Sequence, residues 1–130
     1  MKRFVIDASA AIDIARGVVT IEETPVRFFA PELIDLEFAN ALRKLVIHRK
    51  VAAEQAEAYF TAWASNQVTR ISHARLLRRA WELRGTLSSY DASYVALAER
   101  LELPLLTTDD RLGRTAAKYC EVWPWGATGS

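Results

Sequence analysis

The chain has 130 residues, 51% of them hydrophobic and 25% charged, a composition that suits one folded domain with a substantial core. Its 17 Lys and Arg against 16 Asp and Glu leave a net charge of +1, so only a local patch could contact a polyanion. No apolar run reaches the roughly 20 residues of a membrane-spanning helix and no secretory signal opens the chain, so we expect a cytoplasmic protein without membrane contact.

The first half of the chain alternates between strand and helix patterns. The run Phe4-Val5-Ile6 has no polar alternation, which predicts a strand buried on both faces. Ser9 can cap a short helix after it, Pro31 suits the first turn of a long helix, and residues 18–25 fit neither pattern. The predicted elements are strands at 3–6 and 26–30 and helices at 10–16, 31–48 and 53–65, the last with Ala56, Tyr59, Phe60 and Trp63 as its buried stripe.

The second half repeats this alternation. Ser72 can open one helix that ends at Gly85, and Ser88 can cap the next. Alternating strands and helices predict an α/β domain with a mostly parallel sheet. We expect one domain over 1–125 and a flexible tail at 126–130. The predicted elements are strands at 68–71 and 105–107, a last strand within 120–125, and helices from residues 72, 88 and 109, the first carrying Leu76, Leu77, Ala80, Trp81 and Leu83 as its apolar positions.

Two aspartates closely follow predicted strands. Asp7 ends the run "RFVI", and Asp109 comes two residues after the strand "LLT". Because the carboxyl ends of parallel strands share one edge of the sheet, and ligands bind where the strand order reverses, we expect both side chains to open onto one crevice. A buried carboxylate is costly unless it is paired, which makes Asp7 the more informative of the two. Asp109 could instead serve only as a helix N-cap.

Two further acids lie on predicted helices. Glu37 belongs to the apolar segment "ELIDLEFANAL" with Asn40 one turn on, and a solvated helix face explains this position less well than a functional role. Asp91 lies in the first turn of the helix that begins near Ser88, where it could be the third residue of a capping box. The sequence leaves both interpretations of Asp91 open.

If these four carboxylates converge, their mutual repulsion has to be relieved. Two like charges about 4 Å apart cost on the order of 4 kcal/mol at an effective dielectric of 20, so a cluster takes up protons or holds a cation. Hard oxygen ligands without His or Cys support favour Mg²⁺ or Mn²⁺ over zinc. His48 and His73 have no ligand spacing and are predicted to be surface residues, and Cys120 is predicted to be a small apolar group rather than a nucleophile.

The segments "VIDASA", "PELIDLEFANAL" and "SSYDASYVALAERLELPLLTTDDRL" resemble the PIN-domain ribonucleases, in particular the VapC-type toxins of bacterial and archaeal toxin–antitoxin pairs. The resemblance covers about residues 2–123 and rests on four acidic motifs in the family's order. It implies a three-layer α/β fold whose central parallel sheet has strand order 3-2-1-4-5 and helices on both faces. It also implies that the catalytic and metal-binding residues are Asp7, Glu37, Asp91 and Asp109.

The same resemblance implies a reaction, partners and supporting residues. The reaction would be Mg²⁺- or Mn²⁺-dependent hydrolysis of RNA by in-line attack of an activated water, which leaves a 5′-phosphate and a 3′-hydroxyl. The partners would be an antitoxin that covers the site and a second copy in a homodimer. The chain is shorter than the family pattern at 18–25, near the mouth of the site. The supporting positions are Ser9, Asn40, Thr107 and Thr108.

An RNA substrate is a polyanion, so basic side chains should surround the acidic pocket. For any single one of them, a solvated position on a helix face is the default explanation. Trp123 and Trp125 could pack a dimer or partner surface, with burial in the core as the alternative. The candidates for contacts to the RNA backbone are Arg16, Arg43, Lys44, Arg111 and Arg114, with Arg49 and Lys50 nearby.

Other classes of protein also gather aspartates at strand ends. A phospho-acceptor signalling domain does so around Mg²⁺, but it needs a lysine at the last strand, and "CEVWPW" has none. A phosphatase of the haloacid dehalogenase type needs an acid where Ser9 stands, and a dinucleotide-binding fold needs a glycine-rich turn where this chain has "DASAA". A catalytically inactive PIN scaffold is the remaining alternative, and the presence of all four acids argues against it.

Overall fold

The computed structural model describes residues 1–21 and 25–124. The predicted tail at 126–130 and part of the ambiguous segment 18–25 lie outside these ranges. Within them, no helix combines the length and the apolar character that crossing a membrane requires.

Five parallel strands form one central sheet. In chain order they are β1 (Lys2–Ile6), β2 (Val26–Pro31), β3 (Val68–Ile71), β4 (Leu105–Thr107) and β5 (Val122–Pro124). Their spatial order is β3-β2-β1-β4-β5, which confirms the predicted topology. Phe4, Val5 and Ile6 are each at most 1% exposed. Because successive strand residues point to opposite faces, this burial means that both faces of β1 are covered by helices.

Helices connect the strands, and most of them begin where the sequence predicted. They are α1 (Ala8–Ala15), α2 (Ile34–Ile47), α3 (Ala53–Ala64), α4 (Leu77–Glu82), α5 (Ser89–Leu101) and α6 (Asp110–Ala116), with a 3₁₀ turn at His73–Arg75 before α4. Ser88 caps α5 and Asp109 caps α6 through hydrogen bonds to backbone amides, as predicted.

Two predicted helix starts are wrong. Asp7 caps α1 in place of Ser9, because its carboxylate accepts the amide of Ala10 at 3.0 Å and the helix begins two residues earlier. Pro31 ends β2, where it pairs with Ile71, instead of opening α2. A strand end tolerates a residue without an N–H group, so proline is compatible with this position.

Three apolar residues at helical positions are exposed. Phe60, Leu77 and Trp81 are 46%, 67% and 56% exposed, although Phe60 was predicted to lie in a buried stripe and the other two were among the apolar positions of their predicted helix. The 3₁₀ turn shortens α4 to six residues, so one continuous stripe cannot run from residue 72. Trp81 lies instead under the guanidinium of Arg84, 4.3 Å from the ring centroid.

Trp123 packs within the molecule. Its ring lies edge-on to Phe4 with 4.8 Å between the centroids, and the ammonium of Lys2 lies 4.8 Å from the centroid of the tryptophan ring. Of the two interpretations offered for Trp123, packing within the fold therefore describes its contacts. Trp125 lies outside the described residues.

The strand order reverses between β1 and β4. From β1 the chain passes through α1 to β2 on one side, and from β4 it passes through α6 to β5 on the other. Ile6 pairs with Leu106, so both strands end at the same edge of the sheet, beside Asp7 and Thr107. This edge is the crevice in which parallel α/β folds place their ligands.

Candidate active site

Asp7 is deeply enclosed at this edge, with 5% of its surface exposed. Its Oδ1 accepts hydrogen bonds from Ser9 Oγ at 2.7 Å and from Ala10 N at 3.0 Å, and its Oδ2 accepts one from Thr107 Oγ1. Burial is the main cause that raises the pKa of Asp7 to about 6; the three hydrogen bonds oppose the rise, and the charge of Asp109 adds to it. Its hydrogen bonds thus come from neutral groups, which leave its charge uncompensated.

Ser9 and Thr107 tie the ends of β1 and β4 together around this carboxylate. Thr107 is 2% exposed; it donates to Asp7, and its Oγ1 accepts from Asp109 N at 3.1 Å. Ser9 Oγ lies 3.3 Å from Thr107 Oγ1 and accepts from Thr108 N at 3.1 Å. We call this set Ser9, Thr107 and Thr108 the hydroxyl clamp. Thr108 takes part through its backbone amide, whereas the sequence suggested its hydroxyl.

Asp109 both caps a helix and faces the other acids. Its Oδ1 accepts from Leu112 N at 3.1 Å at the start of α6. Its charge also contributes to raising the pKa of Asp7 and of Asp91, which places it close to both. Asp110, the next residue and the first of α6, is exposed.

Asp91 reaches the same edge from the first turn of α5. Its backbone N donates to Ser88 Oγ at 3.1 Å, which forms the first half of the predicted capping box. Its carboxylate instead faces Arg111, with 3.6 Å between Oδ2 and Nη2. Burial raises the pKa of Asp91. The positive charge of Arg111 opposes this rise, and the negative charge of Asp109 adds to it. A capping role therefore does not account for the Asp91 carboxylate.

Glu37 reaches the site from the first turn of α2. Its Oε1 accepts a hydrogen bond from the hydroxyl of Tyr94 at 2.6 Å. Burial raises the pKa of Glu37, the Tyr94 hydrogen bond lowers it, and the charge of Asp91 raises it. A half-buried carboxylate held by a tyrosine is inconsistent with a merely solvated helix face. Asn40, which was expected to accompany Glu37, is exposed.

Tyr94 is a site residue that the sequence interpretation missed. It is 1% exposed, and burial together with the charges of Glu37, Asp7 and Asp91 raises its pKa far above the ordinary range. Its neutral hydroxyl is therefore a permanent donor to Glu37. Tyr94 lies three residues after Asp91 on one helix, and that spacing, which puts the two on one face, was the only available signal.

The four carboxylates form one electrostatic cluster, the acidic edge: Asp7, Glu37, Asp91 and Asp109. Their charges act on one another in sequence, Asp109 on Asp7 and on Asp91, and Asp91 on Glu37. As they stand, no three His, Cys, Asp or Glu side chains in the described ranges are close enough to enclose an ion. Like charges repel, and each carboxylate has its own hydrogen-bond or ionic partner.

The donor set nevertheless fits a hard divalent cation. Every candidate ligand atom is a carboxylate oxygen, which suits Mg²⁺ or Mn²⁺. Three of the four acids have a raised pKa, and a nearby acid contributes to each rise, so a cation would relieve the repulsion. Oε2 of Glu37 has no hydrogen bond within the described part of the chain and could accept such an ion.

The two histidines are surface residues, as predicted, and Cys120 is a half-buried thiol. His48 and His73 are exposed, and His73 Nε2 accepts the amide of Leu33 at 2.9 Å. Burial raises the pKa of the Cys120 thiol to about 11, and its Sγ lies 3.6 Å from the carbonyl oxygen of Ala116. A thiol with this pKa stays protonated at neutral pH and is a poor nucleophile.

The five basic candidates lie at four different places on the surface. Arg16 and Lys44 line a cleft between α1 and α2, and Arg43 lines a different groove between α2 and α3. Arg111 faces Asp91 across the acidic edge, and Arg114 lines a groove beside α6. The structure thus separates residues that the sequence could only group by charge.

Comparisons of sequence with known proteins identify a family and several relatives. A family model described as "PIN domain" matches residues 4–118. A protein of Mycobacterium bovis named VapC ribonuclease Mb0985 is 39% identical over 124 residues, which cover 91% of this chain and 94% of that protein. Ribonuclease VapC1 of Mycobacterium tuberculosis is 36% identical over 133 residues, which cover 94% of this chain and 97% of that protein.

Two solved structures share the fold. The structure of PAE2754 from Pyrobaculum aerophilum has a TM-score of 0.64 and 26% identity, and the match covers 93% of this chain and 89% of that one. The structure of VapBC2 from Rickettsia felis, bound to a DNA fragment from its promoter, has a TM-score of 0.65 over 95% of this chain and 98% of that one. At 12% identity, the second match bears on the fold alone.

Proposed function

The chain belongs to the PIN-domain family, and from this premise we propose that it is an endoribonuclease of the VapC type, the toxin of a toxin–antitoxin pair. Its similarity to two mycobacterial VapC ribonucleases over more than nine-tenths of its length supports this activity. The observation that carries the proposal is the acidic edge at the strand-order reversal, where burial and a neighbouring acid raise the pKa of Asp7, Glu37 and Asp91. An inactive scaffold would gain nothing from this costly arrangement.

The proposed cofactor is Mg²⁺ or Mn²⁺. Asp7, Glu37 and Asp91 would hold the ion, with Asp109 as a fourth ligand or as a holder through a water molecule. When bound, such an ion lowers the pKa of a water molecule and polarises a phosphoryl oxygen. The three proposed ligands with raised pKa values would lose their mutual repulsion at the same time.

The chain's own residues position the reacting groups. Ser9 and Thr107 fix both oxygens of Asp7 by hydrogen bonds, and the hydroxyl of Tyr94 fixes Glu37. Such partners orient carboxylate ligands and typically affect metal affinity or activity by about 10–100-fold. Arg111 lies beside Asp91 and is 77% exposed, so its guanidinium can contact a substrate phosphate at the mouth of the site. The expected products are a 5′-phosphate and a 3′-hydroxyl.

The proposed partners are RNA as substrate, a cognate antitoxin protein and a second copy in a homodimer. The choice of a toxin–antitoxin pair rests on the VapC names of the two mycobacterial relatives. An antitoxin would act by covering the acidic edge. The proposed domain comprises residues 1–125, with residues 126–130 as a tail.

The decisive experiment is cleavage of total RNA by the purified chain with Mg²⁺ or Mn²⁺. We expect cleavage that stops with a chelator and in Asp7→Asn, and that continues in Asp35→Asn, a carboxylate variant on the far side of α2. Mapping the ends of the products should give a 5′-phosphate. Cleavage that persists in Asp7→Asn would refute the proposed chemistry, and inactivity of the intact chain on every RNA tested would favour an inactive PIN scaffold.

A further inference from the structure

A cleft of about 380 Å³ lies between α1 and α2, next to the acidic edge. Ser9 and Thr108, two members of the hydroxyl clamp, are among the residues that line it. Ser9 is also hydrogen-bonded to Asp7 at 2.7 Å, so the cleft lies directly beside the most buried of the proposed ligands.

The cleft is basic, in contrast to the edge that it adjoins. Arg16, Lys44 and Lys50 line it together with His48, and Asp13 is the acid among the lining residues. In the described ranges, Arg16, Lys44 and Lys50 form no ion pair with a carboxylate within 4.0 Å. A chain whose net charge is only +1 thus concentrates a local excess of positive charge beside its acidic edge.

Apolar side chains also line the cleft. Ile12 of α1 and Leu45 of α2 are among its lining residues. A groove lined by both cations and apolar side chains suits a single nucleic-acid strand, whose phosphates are anionic and whose bases present apolar faces. A volume of about 380 Å³ lies within the range of clefts that bind ligands, roughly 300–1,000 Å³.

We propose that this cleft binds the RNA strand on one side of the scissile phosphate, with Arg16, Lys44 and Lys50 as contacts to successive phosphates. The inference rests on the proposed function and adds to it the path by which the substrate leaves the acids. RNA is favoured over an acidic protein segment because the cleft joins the acidic edge at Ser9 and Thr108. A strand whose phosphate lies at the acids must continue beyond them, and this cleft adjoins Asp7 through Ser9.

Adjacent residues of α2 provide a matched pair for the test. Lys44 lines the cleft, whereas Arg43 lines the groove between α2 and α3. Both are exposed, and both carry one positive charge on the same helix. The variants Lys44→Gln and Arg43→Gln therefore remove the same charge from two different faces, with similar effects on net charge.

The experiment measures binding of a fluorescein-labelled single-stranded RNA of random sequence between about 50 and 200 mM salt. All variants carry Asp7→Asn, so that the RNA stays intact. Each phosphate contact to a single strand contributes about 0.7 to the slope of log K against log salt. We expect Lys44→Gln to reduce the slope by about 0.7 and the double variant Arg16→Gln/Lys44→Gln by about 1.4. Arg43→Gln should leave it unchanged.

Equal slopes for Lys44→Gln and Arg43→Gln would overturn the proposal and leave the cleft to another ligand, such as an acidic protein segment. Thermal unfolding of each variant separates a role in stability from a role in binding, because cations near helix C-termini also stabilise helices. A stability role would shift the unfolding temperature without changing the slope, and that result would also overturn the proposal.

The two proposals fail separately. If the intact chain cleaves RNA but Lys44→Gln leaves the slope unchanged, the cleft assignment is wrong and the nuclease function stands. If the intact chain cleaves no RNA, the nuclease function is wrong, whereas the comparison of slopes still reports whether single-stranded RNA occupies the cleft.

Discussion

Helix α2 carries two carboxylates, two residues apart, whose surroundings are opposite. Asp35 accepts hydrogen bonds from Arg70 Nε at 2.7 Å, from Arg70 Nη2 at 2.8 Å and from Trp63 Nε1 at 2.9 Å. These contacts, the Arg70 bond first among them, hold the pKa of Asp35 below its usual range. Glu37 accepts one hydrogen bond, from the neutral Tyr94, and lies near the charge of Asp91, with its pKa raised.

The comparison separates a structural acid from a functional one. Asp35 already has a bidentate cationic partner, so its charge joins α2 to β3 and α3 and is not available to a ligand. Glu37 is half-buried with no cation of the protein beside it in the described ranges. A carboxylate in that state gains most from a metal ion, which is why pairs of this kind distinguish candidate sites from ordinary ion pairs.

The largest expected difference is in activity. Glu37→Gln keeps the size of the side chain but removes the charge that would hold the metal ion, whereas Asp35→Asn leaves the acidic edge intact. We expect Glu37→Gln to reduce RNA cleavage at saturating Mn²⁺ by at least about 100-fold, more than the loss of a ligand's hydrogen-bond partner usually costs. Asp35→Asn should retain most of its activity. Equal losses of cleavage activity in the two variants would show that Asp35 and Glu37 do not differ in function.

A second difference concerns stability without metal. Burial raises the pKa of Asp7 to about 6 from the 3.8 of an unfolded chain, so protonation favours the folded state. This contribution is fully present below about pH 4 and is lost as the pH rises through 6. Asp7→Asn should therefore stabilise the chelator-treated protein near pH 7.5, by at most about 3 kcal/mol, with the gain disappearing near pH 4.

Urea unfolding at both pH values measures this effect. Asp35→Asn provides the opposite control, because a lowered pKa contributes stability above about pH 4 that is lost as the pH falls. If Asp7→Asn were instead destabilising at pH 7.5 in the presence of a chelator, Asp7 would be a structural acid like Asp35.

A smaller effect is expected at Tyr94. Tyr94→Phe removes the hydroxyl that holds Glu37 and leaves the four carboxylates in place. Loss of such an orienting bond should raise the Mn²⁺ concentration for half-maximal cleavage by about tenfold. Saturating Mn²⁺ should restore most of the rate, which a merely structural role would not allow. An unchanged metal requirement would show that Glu37 needs no orientation by Tyr94.

The smallest expected effect concerns the Asp35–Arg70 pair itself. Its side chains are 44% and 32% exposed, so solvent screens the attraction. We expect a double-mutant cycle with Asp35→Asn and Arg70→Gln to give a coupling energy of up to about 1 kcal/mol in urea unfolding, with RNA cleavage unaffected. If these substitutions reduced the rate of RNA cleavage, the Asp35–Arg70 pair would contribute to the acidic edge and not only to stability.

The sequence was informative where a residue's surroundings depend on its own element. The uninterrupted run Phe4-Val5-Ile6 predicted a strand covered on both faces, and Ser88 and Asp109 predicted two helix starts. The strand order followed from the family resemblance rather than from the residues alone. The shared edge of β1 and β4 then followed from that order.

The sequence was uninformative where a contact joins distant parts of the chain. Tyr94 and Glu37 are 57 residues apart, and Asp35 and Arg70 are 35 apart, so no local pattern reveals either bond. Phe60 and Trp81 occupy helical positions that normally face a core, but periodicity does not tell which faces the fold covers. Arg43 and Lys44 carry the same charge, and only the packing of α2 separates their faces.

The contacts of the hydroxyl clamp, and its bond to Asp7, join residues about one hundred positions apart. Asp7 and Ser9 lie on one side of these contacts, and Thr107 and Thr108 lie on the other. A chain still being synthesised can have Asp7 and Glu37 but lacks the second half of the clamp and the carboxylate of Asp109. A complete acidic edge therefore cannot form before residues 107–109 have left the ribosome and packed against β1. The order of these residues along the chain thus separates the synthesis of Asp7 and Glu37 from the assembly of the site.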